Sequence, residues 1–265
     1  DSFRVGPIIR AYGTFEQPNP YGGFLALHIP VAFVAVWVLK GGYRISAALI
    51  LFASLLALTL SLSRGAFSAA IVGLIIVAFL ISRKFRIGVV VGMLLVTVIL
   101  CGIFAYLDLG FDGLMTAYVP DLRDAFNSNT PQNYAVNQRL AFWDAALGML
   151  ADRPISGVGL GGFAHHYPKY ASYLWLEPLG HAHNIYFNLL AETGLVGLAL
   201  FMGVAIHMCG LGLLNNRNWV SVAGLGALVV YLTQGLVDNI MVGGIGVYIG
   251  ASMGFLFHPV LALDV

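Results

Sequence analysis

The sequence predicts an all-α polytopic membrane protein with about seven transmembrane helices and a large extracytoplasmic helical loop. Three observations carry that reading. Of the 265 residues, 59% are apolar and only 9% are charged, against about 25% charged in soluble domains. Mean hydropathy is +0.87. The apolar residues fall in long blocks rather than in alternation, which argues against a lipid-facing β-barrel. The net charge of +1, from 13 basic and 12 acidic residues, supplies no polyelectrolyte patch, so no nucleic-acid partner is expected.

A spanning helix needs about 20 mostly apolar residues. Seven segments meet that length, at 22–39, 45–62, 65–82, 87–107, 194–214, 219–237 and 241–257. The chain therefore divides into an outer loop at 1–21, four spans within 22–107, a long outer segment at 108–190 and three spans within 191–265. The 32 glycines suit close helix approach in lipid. Cys101 and Cys209 both lie in apolar blocks with no CxxC or Cys/His spacing, so neither a disulfide framework nor a zinc site is expected from them. The chain begins at Asp1 without a signal-peptide pattern and reads as part of a longer protein.

Loop charge sets the orientation. The short connections 40–44, 83–86 and 215–218 carry Lys40, Arg44, Arg83, Lys84, Arg86 and Arg217 and no acidic residue. They are alternate connections, and positive loops stay in the cytoplasm. The opposite face receives residues 1–21, Ser63-Arg64, the segment 108–190 and Asp238-Asn239. With Glu192 at the outer end of the next span, eleven of the twelve acidic residues fall on that side.

The outer segment is too long for a structureless connection. Residues 137–151 place Leu140, Trp143, Ala146, Leu147 and Leu150 at helical spacing and stop before Pro154, which predicts an amphipathic helix. A glycine run follows at 157–162, without the strand–helix context of a dinucleotide site. Tyr167, Tyr170, Tyr173 and Trp175 then form an aromatic run suited to a membrane interface or to stacking on sugars.

Ionisable groups in or beside spans are costly to hold there and are functional candidates. Arg64 sits in the two-residue break Ser63-Arg64. It either snorkels to headgroups or grips a phosphate, for which a guanidinium offers paired donors. Arg10 lies in a turn-rich loop and Arg139 near the start of the amphipathic helix. Each is either a solvated charge or a second phosphate ligand. His181 and His183 with Asn184 precede the fifth span, and Glu192 follows nine residues after His183. The histidine pair admits three readings: a structural pair, a metal ligand pair, or a general base with its support. On a helix the i, i+2 spacing would separate the rings, and no nearby acid completes a ligand set; no metal is therefore expected. Glu192 either orients a histidine or caps a helix.

Four blocks together resemble the O-antigen ligase and polymerase superfamily of membrane glycosyltransferases. They are Arg10 through Asn19, Ser63-Arg64-Gly65, Arg139 through Phe163 with its Arg153-Pro154 and glycine run, and His183-Asn184 through Gly197. The resemblance implies a bacterial inner-membrane, multi-pass enzyme with its active face outside the cytoplasm. It implies transfer of a glycan from a polyprenyl diphosphate to an acceptor hydroxyl on glycan, lipid or protein, without metal or cofactor. It also implies that N-terminal helices of the family are absent from this chain. Carried over by position, Arg10, Arg64 and Arg139 bind the diphosphate and His183 is the base, with Glu192, Asn184 and His181 in support. Those arginines are then expected to converge near His183. Two competing functions are a bicarbonate or solute transporter and a non-catalytic subunit of a larger membrane complex. A transporter would carry polar groups at mid-depth, whereas here they gather at one rim.

Overall fold

The computed structural model describes residues 3–5, 8–81, 131–172, 174–216 and 218–240, together with Gly246, Gly250 and Gly254. The described residues form an all-α polytopic membrane protein. A two-stranded antiparallel hairpin, β1 (Arg4–Val5) and β2 (Ile8–Ile9), precedes the helices. The helices are α1 (Pro18–Val38), α2 (Gly41–Ser61), α3 (Arg64–Ile81), α4 (Pro131–Asp152), the short α5 (Phe163–His166), α6 (Ile185–Leu214) and α7 (Trp219–Gln234). Among the described residues α1, α2, α3 and α6 are long and apolar enough to cross a membrane, and α7 is a shorter apolar helix. The expected span 87–107 lies outside the described residues, as does 241–257 apart from three glycines.

The chain forms two compact units. The first comprises Asp1–Ala117, His207–Gln234 and Ile240–Val265, and the second Tyr118–Ile206 with Gly235–Asn239.

In the first unit α1 opens with Pro18 in its first turn, where a missing N–H is harmless. Pro30 lies inside the same helix, where it removes a hydrogen bond. It also makes a packing point. A methyl placed on Gly226 of α7 would come 2.8 Å from Pro30 and 2.5 Å from Val77, and one on Gly73 of α3 would strike Val230. Three helices thus meet where two glycines let backbones close in, the usual basis of helix association in lipid. Phe33, Val34, Val77, Ala78, Val222 and Ala223 extend this core. On α2, Ile45, Leu49, Phe52, Leu56 and Leu60 are exposed. Their helical spacing makes a stripe suited to lipid.

The α2–α3 corner is a tight turn. Leu62 takes a left-handed conformation with φ 50° at the end of α2. The Ser61 hydroxyl donates to Leu58 O at 2.7 Å and accepts the Ser63 N–H at 3.2 Å. The break is therefore Leu62-Ser63, and Arg64 is the first residue of α3 rather than a loop residue.

In the second unit α4 begins at Pro131, six residues before the expected start, and ends at Asp152. Its buried stripe is Phe142, Ala145, Ala146 and Met149. The expected face was Leu140, Trp143, Ala146, Leu147 and Leu150, yet Leu147 is 46% exposed. The helix is apolar on several sides, so periodicity alone did not choose between neighbouring stripes. The buried stripe is the one whose Phe142 meets the rings of Phe163 and Tyr167.

Replacing Gly73 or Gly226 by Leu should over-pack the three-helix contact and cost roughly 1–3 kcal/mol or more. The thermal unfolding midpoint of the purified protein should fall for both. Gly42→Ala adds a methyl that meets nothing within 4 Å and should leave the midpoint in place; equal midpoints for all three variants would contradict this packing account.

Candidate functional site

The site in the second unit is built where α6 starts and where it breaks. Asn184 caps α6, its Oδ1 accepting the N–H groups of Tyr186 at 2.9 Å and Phe187 at 3.1 Å. This satisfies donors that every helix start leaves open. The same side chain donates through Nδ2 to Leu236 O at 2.8 Å, and the Ile185 N–H donates to Gly235 O at 2.9 Å. Asn184 thereby ties the segment after α7 to the start of α6. The expected spans at 194–214 and 219–237 are corrected for this reason. α6 starts at Ile185 because Asn184 caps it there. α7 stops at Gln234, and its following residues turn aside to pair with 184–185.

That diversion delivers Asp238. Its Oδ1 lies 3.1 Å from His183 Nδ1, with both side chains largely buried. Burial acts to raise the Asp238 pKa. The hydrogen bond from His183, the charge of His183 and that of Arg139 outweigh burial, so the carboxyl titrates below its ordinary value. An ionised carboxylate only accepts, so His183 Nδ1 carries the hydrogen. His183 Nε2 is buried and has no hydrogen-bond partner among the described residues. The His183 backbone is left-handed, with φ 49°, a conformation uncommon outside glycine. Phe142 stacks on its ring at 5.7 Å with planes 12° apart.

His181 approaches the same ring edge-on at 4.4 Å, and its Nδ1 accepts the His183 N–H at 3.1 Å. The intervening Ala182 is fully buried, its N–H bonded to Asn188 Oδ1 at 3.1 Å. Burial first, then the charge of His183, lower the His181 pKa to about 4; Asp238 opposes them, and Arg139 adds a smaller lowering. Arg139, one turn from Phe142 on α4, donates to Val237 O at 3.1 Å and to Ala135 O at 3.2 Å.

The glycine run pairs with α6 where that helix breaks. Gly194 leaves helical geometry inside α6, with φ 65° and ψ −164°. At that break the helical bonds from Leu195 to Ala191 and from Val196 to Glu192 are replaced. Ala191 O and Glu192 O instead accept the N–H groups of Val158 and Gly159, each at 2.9 Å. Leu195 and Val196 donate to Pro154 O at 2.9 Å and Ile155 O at 3.4 Å. A side chain on Gly157 or Gly194 would overlap the opposing backbone. Glu192 is buried, and its Oε1 accepts the Phe163 N–H at 3.2 Å. Glu192 therefore anchors the glycine loop; it lies in the eighth position of α6 rather than at a helix start.

The structure thus brings together Arg139, His181, His183 and Asn184, four of the residues singled out from sequence, and adds Asp238. Asp238 lies 55 positions from His183, beyond any local motif. Its signal was an acid at the end of an apolar block, the class of residue that membrane energetics marks. The expectation that no acid completes a ligand set fails because the fold supplies one from this distance. Arg10 and Arg64 belong to the first unit. Arg10 Nε donates to Ser61 O at 2.8 Å at the end of α2, and an Nη donates to Asn19 at 2.8 Å. Arg64, half-buried, opens α3 three residues further on.

The family model for O-antigen ligase matches residues 48–202, more than half of the chain. The chain belongs to the O-antigen ligase family. The match covers Arg64, Arg139, the glycine loop, His181, His183 and Glu192. A comparison with curated proteins finds no match.

His181 makes the second unit acid-sensitive. Its folded pKa of about 4 lies below the ordinary histidine value of 6.5, so between these values the unfolded chain holds more protons. Stability then rises with pH across that window and is complete above it. The unfolding midpoint should fall as pH drops from about 6.5 toward 4. His181→Gln should flatten that slope, and an unchanged slope would contradict the burial assigned to His181.

Proposed function

We propose that this O-antigen ligase family member transfers a glycan from a polyprenyl diphosphate to an acceptor hydroxyl, at the extracytoplasmic face of the bacterial inner membrane. The observation that carries this reading is the His183–Asp238 pair with its bare, buried Nε2. Asp238 accepts the hydrogen of Nδ1 and so leaves Nε2 as the proton acceptor. This is the arrangement in which a carboxylate fixes an imidazole's tautomer and orientation.

In the proposed step the acceptor oxygen attacks the anomeric carbon. The bond from that carbon to the diphosphate oxygen breaks, and the electron pair leaves with the diphosphate. His183 Nε2 takes the hydroxyl proton, and the anomeric centre inverts. Charge grows on the leaving diphosphate, so cations near it lower the barrier. Arg139 uses two of its donors on Val237 O and Ala135 O, which orients the guanidinium and leaves others for a phosphate. The family resemblance carries Arg10 and Arg64 over as diphosphate ligands as well. Transfer itself needs no metal or cofactor, and membrane lipids surround the lipid-linked donor. The sidedness rests on the distribution of Lys and Arg among the short loops.

His183→Ala should slow glycan transfer from a polyprenyl-diphosphate donor by roughly 10²–10⁴-fold while donor binding persists. Asp238→Asn should slow it in the same direction, with donor affinity again kept. Arg64→Ala should weaken donor binding instead. A His183→Ala protein that transfers at the normal rate would remove the base from this mechanism.

A further inference from the structure

We propose that His181, His183 and Asp238 form a binding site for a zinc-class divalent metal ion, and that an ion bound there shuts off transfer by occupying His183. The second half rests on the reading of His183 as the base; the first half stands on geometry alone. One ligand atom from each of the three residues lies within 4.8 Å of the other two. Two imidazole nitrogens and one carboxylate oxygen are a recurring donor set for zinc with three protein ligands and one open position.

The backbone explains why histidines two apart can share an ion. On a helix their rings would diverge. Here both lie ahead of α6 in an irregular segment, and His183 is left-handed. The two rings therefore sit edge to face at 4.4 Å. Zinc–nitrogen bonds of about 2.0–2.1 Å place tetrahedral ligands roughly 3.3 Å apart. His183 Nδ1 and Asp238 Oδ1 already stand 3.1 Å apart, and the widest pair closes by roughly 1.5 Å through side-chain rotation.

A second observation points the same way. His183 Nε2 is a buried lone pair with no partner among the described residues, and buried polar atoms ordinarily have one. Arg139 acts on both His181 and Asp238 as a nearby positive charge and opposes a further cation. That selects for an ion with strong imidazole affinity and against magnesium or calcium, which prefer oxygen ligands. Either ring nitrogen of His183 serves the inhibition. Metal on Nε2 takes the lone pair directly, and metal on Nδ1 moves the hydrogen to Nε2.

The test titrates the chain in lipid nanodiscs with cobalt(II), whose visible ligand-field bands report its donor set. The expected result is one cobalt per chain, displaced by zinc and indifferent to excess magnesium. Asp238→Asn and His181→Ala should weaken binding by roughly 100-fold or more, since even outer-shell changes cost 10–100-fold. The double variant His165→Ala/His166→Ala removes the other close histidine pair and should bind cobalt unchanged. A readout free of variants accompanies these: in the unmodified chain, zinc should protect His181 and His183 from carbethoxylation, read by mass spectrometry. Zinc should also slow transfer with the midpoint of cobalt displacement, and a chelator should restore it. Cobalt bands that follow His165 and His166, or no saturable binding, would overturn the site. Binding at the three residues with transfer unimpaired would uphold the metal site and remove His183 from its role as base.

Discussion

A peptide group withdrawn from water has to find a partner, and that requirement organises the candidate site of this molecule. α6 is broken at Gly194, where a continuous helix would have been self-sufficient. The break strands carbonyls of Ala191 and Glu192 and amides of Leu195 and Val196. The loop at 154–159 meets all four in reciprocal fashion. Two of the sequence blocks that carry the family resemblance are thus two halves of one backbone pairing. Gly157 and Gly194 are glycines because each backbone lies where the other's side chain would be.

The same requirement sets the chemistry at the other end of this segment. Asn184 meets the open amides of α6 and, with its remaining group, holds Leu236. Holding Leu236 is what puts Asp238 against His183. The carboxylate then determines which nitrogen of the imidazole bears hydrogen, and Phe142 sets the plane of the ring. A capping residue, a diverted strand of backbone and an aromatic contact together fix the ring orientation that the proposed role of His183 as base requires. Buried polar groups of this kind are costly when unmatched, and His183 Nε2 is one such unmatched atom.

The parts legible from sequence were those governed by composition over a long window. Apolar blocks located the helices that became α1, α2, α3, α6 and α7, because length and hydropathy decide membrane insertion. Their ends were less legible. The start of α6 and the end of α7 depend on one hydrogen-bonded junction between residues far apart in sequence. The inner face of α4 was offset: Ala145, a weak marker of periodicity, is buried with Phe142 and Met149, whereas Leu147 is 46% exposed. Within the site, His183, Asn184 and Arg139 stood out as polar residues bordering apolar blocks. Asp238 has the same character but no neighbour to draw attention to it, and its importance arises only from the fold. Glu192 was legible as important, though its partner turned out to be the Phe163 amide.

The central claim is that Asp238 holds His183 with hydrogen on Nδ1 and a bare Nε2. Nitrogen NMR of the chain labelled at its histidine rings, assigned with a His183→Gln variant, measures this directly. The account predicts that His183 shows a protonated Nδ1 and an unprotonated Nε2 near neutral pH, and that Asp238→Asn disturbs this pattern. A His183 ring with hydrogen on Nε2 and none on Nδ1 in the unaltered protein would contradict it.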